Sequence, residues 1–148
     1  MKNKCEQAME YFRSGFNCAQ SVLAPFGPDY GLPEEQCLKV ACAFGAGMGR
    51  QQNTCGAVTG ALMVLGLQYG KGKMDDNAKK LDTYEKTRAF LKAFSEKHGS
   101  TGCLELLDGL RMDNPADMKK IEELDLHNTR CAKLVNDAVE LAEDFLKK

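Results

Sequence analysis

Apolar residues recur at three- and four-residue steps through the C-terminal segment. Cys131, Leu134, Val135, Ala138, Leu141, Ala142 and Phe145 form one stripe, with Asp137, Glu140, Asp144 and Lys147 between them, a pattern that predicts an amphipathic helix. Tyr84, Thr87, Leu91, Phe94 and His98 make a second stripe within 75–98, and Gly99 supplies its C-terminal stop. The stretch 54–69 is uncharged and apolar. It is shorter and richer in Gly and Thr than a membrane span of roughly 20 residues, so it reads as a buried central helix. A further helix opens at Pro33-Glu34-Glu35, where Pro lacks a donor the first turn does not need and the acids complement the dipole; it should end at Gly45, Gly47 and Gly49. Shorter helices are expected over 4–13, 18–26, 103–107 and 115–124. No segment alternates with period two, and no repeat or linker divides residues 1–148. The expectation is one all-α domain, a compact multi-helix bundle around a central helix rich in small residues.

Composition narrows the function. With 20 Lys and Arg against 21 Asp and Glu, the net charge of -1 provides no field to recruit nucleic acid or anionic lipid, and membrane insertion is not expected. Seven Cys occur without a secretory leader, because Met1-Lys2-Asn3-Lys4 leads straight into charged helical sequence. This points to the reducing cytoplasm, where thiols serve as ligands, redox groups or core residues rather than permanent staples.

Four cysteines follow plausible helix starts: Cys18 after Asn17, Cys55 after Thr54, Cys103 after Ser100-Thr101-Gly102, and Cys131 three residues after Asn128. At a helix N-terminus the dipole and free N–H groups favour a thiolate. The same positions head apolar stripes, however, and an inward Cys also serves simply as a small core residue. Cys5 follows Asn3 and heads Ala8, Met9 and Phe12, so position alone does not select four of seven. Small residues at 56, 57, 60 and 61 give the central helix a smooth face. Each helical Gly costs on the order of 1 kcal/mol against Ala, so the face serves either close packing, within the chain or across a homodimer, or room for a cofactor beside Cys55. The segment 45–50 reads as a helix terminator and connector; no strand precedes it, and Arg50 stands where a phosphate-binding fingerprint needs its third glycine.

Taken together, these residues resemble a family of small redox-active proteins named for a C-GCAxxG-C-C cysteine pattern. The box reads Cys55-Gly56-Ala57-Val58-Thr59-Gly60, preceded by Thr54 rather than by a glycine. Gly15-Phe16-Asn17-Cys18-Ala19-Gln20 resembles the family's first cysteine region, and Gly102-Cys103-Leu104-Glu105 and Cys131-Ala132-Lys133-Leu134 its third and fourth. The resemblance implies a redox role resting on Cys18, Cys55, Cys103 and Cys131, leaving Cys5, Cys37 and Cys42 as core or incidental thiols. A related dihaem group carries Cys-x-x-Cys-His attachment sites; this chain has none, so no covalent haem is expected.

Four thiolates meet the ligand count of an iron–sulfur cluster, with Gly56 and Gly60 leaving it room, and electron transfer to an unidentified redox partner is the leading expectation. Zinc is the alternative metal, although structural zinc sites usually draw on a short C-x2-4-C knuckle and the intervals here are 37, 48 and 28 residues. Cys37 and Cys42 lie about 140° apart around a helix and would not face one ligand. A cofactor-free thiol–disulfide oxidoreductase would use a low-pKa Cys55 as nucleophile. A third reading is a non-catalytic helical sensor that dimerises through the Gly56 and Gly60 face. His98 is read as a cation complementing a helix end and His127 as a surface group near a cap. The pairs Asp75-Asp76 and Glu122-Glu123 read as solvated faces, and no general acid or base is assigned.

Overall fold

Side-chain caps open four of the described helices. The computed structural model describes residues 2–147, and in it Asn3 Oδ1 accepts the Glu6 N–H at 2.8 Å to open α1 (Lys4–Arg13). Asn17 and Gln20 form a reciprocal capping box at α2 (Cys18–Phe26). The Gln20 amide then donates to Leu38 O at 2.9 Å, tying α2 to α3 (Glu34–Cys42). A one-turn element, α4 (Gly45–Met48), leads to α5 (Gly56–Tyr69) and the long α6 (Asn77–His98), which Asp76 caps. The one-turn α7 (Cys103–Leu106) is followed by α8 (Pro115–Glu123), capped by Asn114. A π-helical turn, His127–Cys131, runs directly into α9 (Ala132–Leu146). Among the described residues there are no strands, only one isolated bridge between Thr54 and Gly102. The fold is all-α, and no described helix is long and apolar enough to cross a membrane.

The expected central helix is α5, which packs on α2, α6 and α9. Its small face meets α2 within the same chain: a Cβ on Gly60 would lie 2.8 Å from Ala19 O, and one on Gly56 would overlap Cys18 Sγ. The two glycines therefore set the α2–α5 approach, and the face that suggested a homodimer is occupied by the chain itself.

The stripe on α6 is partly shifted from expectation. Tyr84 is 52% exposed, whereas Phe90, outside the predicted stripe, is fully buried beside Phe94 and meets Phe145 edge-on at 5.5 Å between ring centroids. His98 is not a solvated end cation. Its ring is largely buried, with Nε2 3.1 Å from Asp137 Oδ2 on α9; Lys133 and Lys97 Nζ stand 3.3 and 3.7 Å from the same oxygen. Burial holds the His98 pKa below its ordinary value, against the opposing pull of Asp137.

The core has two parts. The larger gathers buried faces of α1, α2, α5, α6 and α9. The smaller consists of Cys103, Leu107, Ile121 and Leu126 with Leu110, Met112 and Met118 around them, and Cys131 touches both. The candidate site lies at this seam.

Candidate functional site

Cys18, Cys55, Cys103 and Cys131 come from four separated segments and line one cavity of about 460 Å³. Cys18 is the first residue of α2, Cys55 is the N-cap of α5, and Cys103 opens α7. Cys131 departs from expectation. It is the last residue of the π turn and continuous with α9, so no free helix N-terminus faces it. Asn128 lies inside the π turn, and its side chain donates to Asp125 Oδ1 instead of capping α9.

Backbone pairing places two of the thiols. Cys55 N–H donates to Thr101 O at 2.8 Å and Cys103 N–H to Asn53 O at 2.7 Å, on either side of the Thr54–Gly102 bridge. Gln52 extends this clamp: its amide donates to Leu110 O at 2.9 Å and its oxygen accepts from Met112 N–H at 2.8 Å. The smaller core part is thereby held over the sulfurs. Nothing in the hydrophobic period singles out Gln52, because its role is made by contacts 58 and 60 residues away.

The wall opposite is a left-handed turn. Ala46, Gly47, Met48, Gly49 and Arg50 all have φ between 52° and 71°. Met48 N–H bonds to Phe44 O at 3.4 Å, Gln52 N–H to Ala46 O at 3.1 Å and Asn53 N–H to Gly47 O at 3.0 Å. For residues other than glycine this conformation costs roughly 1–2 kcal/mol each. The expected connector is therefore a structured, strained element, and Gly45, Ala46, Gly49 and Arg50 from it line the cavity. A Cβ on Gly47 would lie 2.5 Å from Asn53 N, so glycine is required there by space as well as by φ.

Burial dominates the electrostatics. The Cys55 thiol is pushed up first by burial and then by Cys18, while the N–H groups of Ala57 and Val58 at the start of α5 pull the other way. The helix end acts in the expected direction but is outweighed by burial. Cys103 is pushed up to about 12 by burial, then by Cys131 and Cys18; its bond from Gln52 opposes this. Cys131 is raised to about 11 by burial and by Cys18, against Arg130. Cys18 thus acts on each of the other three. All seven cysteines are free thiols.

Two further groups line the cavity that sequence reasoning set aside. Cys42 is exposed at its edge, with its carbonyl held by Asn17 Nδ2 at 2.9 Å. His127 stacks on Phe12 with ring centroids 4.4 Å apart and also lines the cavity. The spacing of His127 four residues before Cys131 was its only signal; for Cys42 the capping pattern gave none. Cys5 and Cys37 lie apart from the cavity: Cys37 is buried with Sγ 3.3 Å from Leu32 O, and Cys5 is half-buried with Sγ 3.9 Å from Asn136 O.

The lining suits soft metals: Cys18, Cys42, Cys55, Cys103 and Cys131 contribute thiols and no carboxylate lines the cavity. Among the described residues, no three His, Cys, Asp or Glu side chains are arranged to hold one metal ion. The family model described as "Putative redox-active protein (C_GCAxxG_C_C)" matches residues 16–145. No curated protein and no solved structure matches the chain.

Proposed function

Because the chain belongs to the C_GCAxxG_C_C family of redox-active proteins, we propose that it transfers electrons through an iron–sulfur cluster ligated by Cys18, Cys55, Cys103 and Cys131. The observation that carries this reading is the convergence of these four thiols, from α2, α5, α7 and the π turn, on one cavity. When bound, the cluster would supply a one-electron couple tuned by burial and by hydrogen bonds to its sulfurs.

The buried setting of the thiols favours metal-bound over free thiolates. Burial raises Cys55, Cys103 and Cys131, and repulsion from Cys18 raises each further, which disfavours free thiolate chemistry. Iron would remove that obstacle by replacing the protons with positive charge. The chain's own part is then to deliver four deprotonated sulfurs, to donate the Ala57 and Val58 N–H groups toward Cys55, and to exclude water with Leu106, Leu107 and Ile121. Gly56 contributes by admitting the Cys18 sulfur.

The test is the visible spectrum of protein purified without air, with iron and sulfide analysis after anaerobic reconstitution and desalting. Broad sulfur-to-iron absorption bleached by dithionite is the expected result. Protein that retains neither element overturns the proposal.

A further inference from the structure

The cavity has features that four metal-ligating thiols do not use. Its volume of about 460 Å³ falls in the range of small-molecule pockets, roughly 300–1,000 Å³. Its far wall is apolar and adaptable, built from Leu106, Leu107, Met112, Met118, Ile121 and Leu134. No Asp or Glu lines it.

Charge is placed at one point. Arg50 lines the cavity and is exposed, and its side chain makes no hydrogen bond or ion pair among the described residues. It is held there by the left-handed turn at φ 66°, a conformation that arginine does not favour. Cys18 at the first position of α2 and Cys55 at the N-cap of α5 bring two positive helix ends to the same space. The ionisable His127 adds no negative charge in either protonation state. An apolar wall, one arginine at the rim and no lining carboxylate together define a ligand.

We propose that this cavity binds a small organic anion with an apolar body, of the medium-chain carboxylate class, its carboxylate at Arg50 and its chain against the leucine and methionine wall. The inference concerns the metal-free, reduced chain, because the anion would share its cavity and the Leu106, Leu107 and Ile121 wall with the cluster of the proposed function. Cys55 and Cys103 are buried, Arg50 is on the exposed rim, and the anion's recognition needs no metal.

The test is calorimetric titration of the full, reduced chain with sodium octanoate, with 1-octanol and octylamine as neutral and cationic counterparts. Octanoate should bind saturably at one site, about tenfold more tightly than 1-octanol, and octylamine more weakly than either. In Arg50→Gln the octanoate affinity should fall about tenfold, to the level of 1-octanol, while 1-octanol binding is unchanged. Because Arg50 is exposed and unpaired, this variant is expected to fold, which thermal unfolding checks directly. Equal affinity for octanoate and 1-octanol, an unchanged octanoate affinity in folded Arg50→Gln, or the absence of saturable binding overturns the proposal. The cluster reading is scored separately by iron content and absorption, so either can fail alone.

Discussion

Gly56 and Cys18 occupy adjoining space at the start of α5 and α2: a methyl group on Gly56 would overlap the Cys18 sulfur and stand 2.8 Å from Phe44 O. The box glycine thus positions a thiol 38 residues earlier in the chain. Gly60, one turn on, meets only α2 itself, through Ala19 O and Val22. Gly56→Ala and Gly60→Ala should each lose about 1–3 kcal/mol in urea unfolding, the usual cost of overpacking. Only Gly56→Ala should also change the alkylation rate of Cys18 and lower reconstituted iron.

Replacing Cys18, Cys55, Cys103 or Cys131 singly with Ser should reduce reconstituted iron several-fold, whereas Cys5→Ser and Cys37→Ala should retain it. Cys37 is fully buried, so its truncation costs stability without touching the cavity. Iron per chain after desalting, measured beside thermal unfolding, separates lost ligands from lost fold.

The raised thiols give the metal-free protein an alkaline limit. In the unfolded chain these groups ionise near 9, while in the fold Cys131 is held up to about 11 and Cys103 to about 12. The folded state therefore keeps protons the unfolded state releases, and the stabilisation is full below pH 9 and lost progressively as pH rises through 11 and 12. The Tm of the reduced, metal-free chain should fall steadily above pH 9. Cys103→Ala should flatten that slope.

Acid acts elsewhere. His98 has a folded pKa below 6.5, so the stability of its neutral form is present above pH 6.5 and lost as pH falls through the folded value. Asp137 pulls that pKa upward. Proton NMR titration of the His98 ring should show a midpoint under 6.5, displaced further downward in Asp137→Asn.

The left-handed turn responds oppositely at neighbouring positions. Ala46→Gly should stabilise by about 1 kcal/mol, since glycine adopts φ 52° freely. Gly47→Ala should destabilise by more than that, because the added methyl meets Gln52 Cα at 2.6 Å and Asn53 N at 2.5 Å. Urea midpoints for the pair decide both.

Much of the helical framework was legible in local chemistry. Asn3, Asn17, Asp76 and Asn114 cap helices that start where their side chains can accept first-turn N–H groups. Periodicity was less exact on α6, where Phe90 is buried through contact with Phe145 on another helix. That Cys18, Cys55, Cys103 and Cys131 share one cavity was foreshadowed only by the family resemblance; caps alone misplaced Cys131, whose helix begins earlier in a π turn. The turn at 46–50 was not legible. Its glycines signal a terminator, while Ala46, Met48 and Arg50 carry no preference for left-handed backbone. Gln52 and Cys42 gained their places from distant partners, which no local pattern encodes.

The pairing of Thr54 with Gly102 bears on how the protein is made. It sets Cys55 beside Cys103 across the whole of α6, and the set is completed only by Cys131. As the chain emerges from the ribosome, Cys18 and Cys55 wait through most of translation without their later companions. The cavity that the four cysteines line is therefore closed last, after the long-range contacts have formed.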